Sequence, residues 1–226
     1  MLMARPQPFP MLEALGRLLL PPNCFLCGLP CPGPEDLCPA CRPTLRPLPG
    51  GLHPPRGSIH RPFAPFCYGS GAQQLVQGVK FSRRPEGAQL MATLMAEAVP
   101  SPLERETTVL IPVPLHWRRR LLRGFDQASL LTLWLSRRTG LKTVPALRRW
   151  RATRPQSQLA RGRRGANLAR AFHARPPPRP GLVPCLIDDV ATTGATLKAA
   201  QDALEAAGWA RPRAWVFAWT LPPAPP

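Results

Sequence analysis

Residues 186–197 constrain this chain more than any other stretch. Leu186 and Ile187 end an apolar run, Asp188 and Asp189 follow, and Val190-Ala191-Thr192-Thr193-Gly194-Ala195-Thr196 leads into a helical pattern. The order is buried strand, two carboxylates, hydroxyl-rich turn, helix start. At the carboxyl end of a parallel strand such a turn opens into a ligand crevice, and the helix behind it presents unpaired N–H groups and the positive end of its dipole. Gly194 lets the backbone approach an oxyanion closely, while Thr192, Thr193 and Thr196 add hydroxyl donors. Two adjacent acids would repel a phosphate unless they hold something else. Sugar hydroxyls, and a magnesium ion bound mainly through water and ligand oxygens, answer that need. A ribose phosphate satisfies the whole pattern, whereas capping the helix would require only one acid.

The surrounding sequence supplies a sheet for this strand. Spacing predicts strands at 66–68, 108–113, 183–187 and 214–221, and helices at 72–80, 87–99, 125–138 (closed by Gly140) and 197–207 (closed by Gly208). Strands alternating with helices imply an α/β fold, a mainly parallel sheet covered by helices on both faces. Residues 148–166, dense in Arg and Gly, and 174–181, dense in Pro, are expected to be irregular. Leu12, Leu15, Leu18 and Leu19 fall at helical spacing in residues 1–22, a short helix leading into a cysteine-rich segment. Residues 42–62 are too rich in Pro, Gly and Arg to sustain a helix or central strand, and 46–62 is assigned as a linker to the main domain at 63–222. A length of 226 residues suits one such domain with a small accessory module.

That module is marked by cysteine. Five of the seven cysteines fall between residues 24 and 41. Crowding, paired spacing and an odd total argue for a metal rather than a disulfide framework. Cys24 with Cys27 and Cys38 with Cys41 form two knuckles whose four thiolates match a tetrahedral zinc ion, so residues 23–45 are expected to be a structural zinc ribbon. Cys31 is the spare. Cys67 and Cys185 sit in apolar runs as ordinary buried thiols, and His53 and His60 stay off the ligand list.

Thirty Lys and Arg against twelve Asp and Glu give a formal charge of +18. Such a field favours polyanionic partners, although an Arg- and Pro-rich composition also follows from a GC-rich genome. The apolar run at 18–22 is far shorter than the roughly 20 residues of a spanning helix, and residues 11–20 lack a signal-peptide cleavage pattern. The expectation is a cytoplasmic protein with no membrane span.

The run from Leu186 to Thr196 resembles the ribose-phosphate signature of type I phosphoribosyltransferases. Ile111-Pro112-Val113-Pro114-Leu115 followed by Arg120 and Arg123-Gly124-Phe125-Asp126-Gln127, then Thr153, Gln156, Leu159, Arg164, Asn167 and Ala171-Phe172, look like the ComF competence proteins, as does the cysteine module. The resemblance covers nearly the whole chain apart from the Pro-rich linkers and tail. It implies a type I phosphoribosyltransferase fold in which Asp188 and Asp189 contact the ribose hydroxyls as catalytic groups. Ala191, Thr192, Thr193, Gly194, Ala195 and Thr196 would hold the 5-phosphate, and the loop ending in Arg123 and Gly124 would lie near the diphosphate. Lys80, at the end of a helix, is expected near the site, although a solvated lysine favoured by the helix dipole reads equally well. Asp126 departs from the pattern: Asn is expected there, and the acid falls beside a phosphate loop.

Arg118, Arg119, Arg120, Arg161 and Arg164 can pair with a diphosphate or track a nucleic-acid backbone. Trp134 reads as core; Trp117 and Trp150 lie among arginines and are candidates for stacking on bases. The resemblance implies a protein of DNA uptake and natural transformation that binds phosphoribosyl diphosphate or a related nucleotide with magnesium. It also implies single-stranded DNA, a DNA-uptake helicase and recombination proteins as partners. The alternative is an active phosphoribosyltransferase of nucleotide metabolism or salvage, in which the basic surface is incidental. A third reading makes the zinc ribbon the DNA-contacting element.

Overall fold

Buried apolar runs and helical stripes alternate through the chain and settle into one parallel sheet with helices on each face. The computed structural model describes residues 23–31, 37–49, 62–81, 84–98, 106–116, 121, 124–150 and 171–221. Two compact units meet in sequence between Thr44 and Leu45. The larger contains, in order, β1 (Phe66–Cys67), α1 (Ser70–Phe81), α2 (Glu86–Glu97), β2 (Thr108–Pro112), α3 (Gln127–Thr139), β3 (Lys142–Thr143), β4 (Leu147–Arg149), β5 (Phe172–Ala174), β6 (Val183–Ala191), α4 (Ala195–Ala206) and β7 (Arg213–Trp219).

The sheet order is β1-β7-β6-β2-β3 with every pair parallel, and β4 and β5 form a separate antiparallel ribbon. Every residue of β2 is buried, as a strand covered on both faces requires. Alternate residues divide the core. Val109, Ile111, Leu186, Ala214 and Val216 face Leu197, Ala200 and Leu204 of α4, together with Leu147, Phe172 and Ala174 of the ribbon. Leu110, Ile187, Trp215 and Phe217, all buried, take the opposite face, where α1, α2 and α3 pack. Gly140 ends α3 at φ 74°, a left-handed conformation that costs a residue with a Cβ, and donates its N–H to Ser136 O.

Several expectations change. The strand expected at 183–187 continues to Ala191, because β7 pairs with it through Asp188↔Val216, Val190↔Ala218 and Ala191↔Trp219. Both acids therefore lie within the strand and not after it. Arg148, Arg149 and Ala174, expected in irregular stretches, belong to the β4–β5 ribbon, where cross-strand hydrogen bonding overrides weak local patterning. Trp134 is half-buried with the Arg137 guanidinium 4.8 Å over its ring, so it edges the core. Cys185 is buried as expected, whereas Cys67 is half-buried with its thiol 3.7 Å from Pro47 O. Residues 46–48, inside the expected linker, run antiparallel to β1, with Leu48 N–H donating to Pro65 O and Cys67 N–H to Arg46 O. The expected helix within 1–22, His53, His60 and Trp117 lie outside the described residues.

Candidate functional site

β2 and β6 are neighbours, yet the helices that follow them cover opposite faces of the sheet, α3 leading to β3 and α4 to β7. Their outgoing loops diverge and leave a crevice at the carboxyl ends, the place where ligands bind in open α/β sheets.

One wall of that crevice is the turn from β6 into α4. Gly194 is the N-terminal cap of α4 at φ 72° and offers no side-chain bond to the helix. Thr193 Oγ1 lies 3.4 Å from Ala195 N. Asp188, Ala191, Thr192, Thr193, Gly194, Ala195 and Thr196 line one small concavity, so the structure brings the sequence-predicted phosphate loop together with the first acid. Thr192 and Thr193 are exposed, and Thr196 is half-buried.

Successive residues of a strand point to opposite faces, and this separates the two acids. Asp188 lines the α4 concavity. Asp189 turns toward the other helices, where its carboxylate, 5% exposed, meets Lys80 Nζ at 2.9 Å and accepts from Gln127 Nε2 at 3.2 Å. Lys80 ends α1, and its place against Asp189 shows that it is not merely a solvated lysine. Gln127, the first residue of α3, was present in the sequence motif but carried no assigned role; a polar residue at the start of an apolar helix was the available signal.

Charge is unevenly balanced here. Burial opposes ionisation of Lys80, but Asp189 and then Asp188 outweigh it and raise its pKa above that of a free lysine. Burial, then the charge of Asp189, push the Asp188 carboxyl well above the usual carboxylate range, with Lys80 and the Asp189 N–H opposing. Among the described residues no cluster of three acids or histidines exists to form a cage.

Asp126 has a structural use. Its Oδ1 accepts from Ser129 N (3.2 Å), capping α3, and its Oδ2 accepts from Leu115 N (2.9 Å), tying down the loop after β2. Both oxygens are needed as acceptors, which an amide could not provide. Gly124, at φ 81°, precedes this cap. Arg118, Arg119, Arg120, Arg123, Arg161 and Arg164 lie outside the described residues.

The smaller unit holds a metal-binding set. Gly28 N–H donates to Cys24 O with Gly28 at φ 74°, and Cys24 N–H donates to Leu29 O, closing the first knuckle. Cys41 N–H and Arg42 N–H both reach Cys38 O in the second. The sulfur atoms of Cys24, Cys27, Cys38 and Cys41 lie within 4.8 Å of one another, and Cys27 Sγ is 3.8 Å from Cys38 Sγ. A tetrahedral ion with bonds of about 2.3 Å separates its sulfurs by about 3.8 Å. Burial raises the Cys24 thiol, but the N–H groups of Cys27, Cys38 and Leu26 outweigh it and bring its pKa to about 6. Burial, then the neighbouring thiols, hold Cys41 at about 12. Thiols pressed together in this way cannot all ionise without a cation. Cys31 is buried and lies outside the set.

No protein-family model matches the chain. The chain is similar to a DNA utilization protein YhgH of Escherichia coli strain K12, at 32% identity over 229 aligned positions covering 90% of this chain and 100% of that protein. A DNA utilization protein YhgH of Salmonella typhimurium is 32% identical over 207 positions, 88% of this chain and 84% of its own. Competence protein F of Haemophilus influenzae is 34% identical over 112 positions, 48% of this chain and 49% of its own. Similarity over nearly the full length of the first two, joined to the four-cysteine set and the α/β sheet, shows that the chain belongs to the ComF family.

Proposed function

We propose that this protein acts in DNA uptake and utilisation in the cytoplasm, binding phosphoribosyl diphosphate, or a related nucleotide, with magnesium in the crevice beside α4, and binding single-stranded DNA through its basic surface. The observation that carries the ligand reading is Asp188, set at the end of β6 across the Gly194 turn from the open N-terminus of α4. The 5-phosphate would sit on Ala191, Thr192, Thr193, Gly194, Ala195 and Thr196, with hydroxyl and N–H donors around it. Asp188 would take the ribose hydroxyls. Asp189 would hold Lys80 beside the diphosphate and, if Lys80 moves to the ligand, would reach the sugar itself. Arg123 and Gly124 belong to the loop assigned to the diphosphate. When bound, magnesium neutralises the diphosphate charge.

The DNA reading rests on the formal charge of +18 and on the names of the relatives. Arg118, Arg119, Arg120, Arg161 and Arg164 are assigned to the DNA backbone, and the helicase and recombination partners follow from the same reading. The four-cysteine set is assigned structural zinc. The larger unit takes the type I phosphoribosyltransferase fold, with residues 23–45 as the zinc ribbon.

The experiment is equilibrium binding of 5-phosphoribosyl 1-diphosphate with and without magnesium, alongside release of diphosphate in the presence of free bases or single-stranded DNA. Magnesium-dependent binding that is lost in Asp188→Asn supports the site, and binding unchanged in that variant removes it. Release requiring a base identifies a transferase of nucleotide metabolism; binding without release identifies a ligand-binding module.

A further inference from the structure

A second cleft, of about 830 Å³, is lined by Pro112, Pro114 and Leu115 at the end of β2 and by the β4–β5 ribbon. Its size is that of a site for a small organic ligand. The ribbon is anchored at both ends, Trp150 N–H donating to Ala171 O (3.1 Å) and Arg175 N–H to Ala146 O (2.9 Å), and Trp209 Nε1 further fixes the Arg175 carbonyl at 2.7 Å. Period-two alternation sends Leu147, Phe172 and Ala174 into the core and leaves the paired Arg148 and His173 exposed. Arg148, Arg149, Arg175, His173 and Trp150 line the cleft. The Arg149 guanidinium lies 5.3 Å over the Phe172 ring. The single lining carboxylate, Asp126, already accepts two backbone N–H groups.

Trp150 stands apart. It is 76% exposed, whereas Trp134, Trp209, Trp215 and Trp219 are buried or half-buried. A large aromatic face held in water on a fixed backbone, in a cleft that Arg148, Arg149 and Arg175 also line, matches a ligand with a planar ring and a negative charge. An acidic peptide would use the arginines but leave the ring unused, and an apolar ligand would use the ring alone.

We infer that this cleft is a nucleotide-unit site in which a base stacks on Trp150 and the adjoining phosphate pairs with Arg148 and Arg175, and that its occupant is a segment of single-stranded DNA. The inference rests on the proposal that the protein binds single-stranded DNA and gives that binding a location. The cleft opens at the same edge of the sheet as the α4 concavity, since β2 pairs with β6 up to Pro112↔Ile187.

The test is fluorescence anisotropy of a labelled oligothymidylate with the full-length protein, its Trp150→Ala, Trp150→Phe and Arg148→Ala/Arg175→Ala variants, and thymidine monophosphate as competitor. Stacking on one aromatic is worth about 5- to 150-fold in affinity, so Trp150→Ala should weaken binding by that factor while Trp150→Phe retains most of it. The double arginine variant should flatten the dependence on salt by roughly two phosphate contacts. The exposed position of Trp150 keeps the fold intact, which an unchanged melting temperature checks. Strand binding that is equal in wild type and Trp150→Ala overturns the cleft and leaves the DNA reading standing. A wild-type protein that ignores the oligonucleotide overturns the DNA reading and, with it, the strand as occupant. Binding of the mononucleotide with no binding of the oligonucleotide, lost in Trp150→Ala, upholds a nucleotide site and replaces the strand with a free nucleotide.

Discussion

Replacing Lys80 by Met removes the only positive charge seen against Asp189 among the described residues and leaves a hydrocarbon of similar length. Asp189 is 5% exposed and stands next in sequence to Asp188, itself pressed toward protonation by burial. Removing one partner of a buried ion pair costs about 3–5 kcal/mol. Lys80 is 21% exposed and Gln127 continues to donate to Asp189, so the loss falls at or below the foot of that range, about 2–3 kcal/mol. For a unit of this size each kcal/mol lowers Tm by roughly 2–4 °C, giving a loss of about 4–12 °C. Asp189→Asn should cost less, about 1 kcal/mol, because the ammonium left behind can reach water. The sign with pH follows from the acids. Without Lys80 the buried pair binds a proton more tightly in the folded than in the unfolded chain, so the deficit is full at neutral pH and shrinks as pH falls toward about 4. Thermal and urea melts of both single variants and the double variant, at pH 7.5 and pH 5, read the effect and the coupling. A Lys80→Met protein within about 0.5 kcal/mol of wild type at both pH values would refute the ion-pair argument.

Three further outcomes arise from the same geometry. Asp188→Asn should raise Tm at pH 7: with its folded pKa raised, Asp188 lends full stability only below its unfolded value of about 4 and loses it as pH rises, so the gain should vanish near that pH. A lower Tm at neutral pH would contradict it. Asp126→Asn, although it restores the family's expected residue, should destabilise by about 1–2 kcal/mol in urea melts, since the amide cannot accept from both Leu115 N and Ser129 N. Cys24→Ser should reduce zinc, measured by atomic absorption, from one per chain; unchanged metal content would remove Cys24 from the ligand set.

Much of this was legible in the residues because local pattern and tertiary demand coincide. The apolar 109–113 run could only be a covered strand, Gly140 announced the end of α3, and the paired cysteines gave the metal-binding set by spacing alone. The β4–β5 ribbon was hidden because Arg148 and Arg149 carry no alternation of their own; their strand is made by pairing with His173 and Phe172, more than twenty residues away. Adjacent Asp188 and Asp189 read in the sequence as one ligand group, whereas β6 runs through both and turns them to opposite faces. Asp126 looked like an intruder beside a phosphate loop, and only the position of Leu115 N shows why a second acceptor is useful there.

The most direct test of the central claim is backbone amide mapping by NMR during titration with ribose 5-phosphate, and then with 5-phosphoribosyl 1-diphosphate and magnesium. The account predicts that ribose 5-phosphate shifts the amides of Thr192, Thr193, Gly194, Ala195 and Thr196, and that the diphosphate with magnesium extends the shifts to Asp188 and the Lys80–Asp189 pair. Saturating ligand that leaves the Thr192–Thr196 amides in place would contradict it.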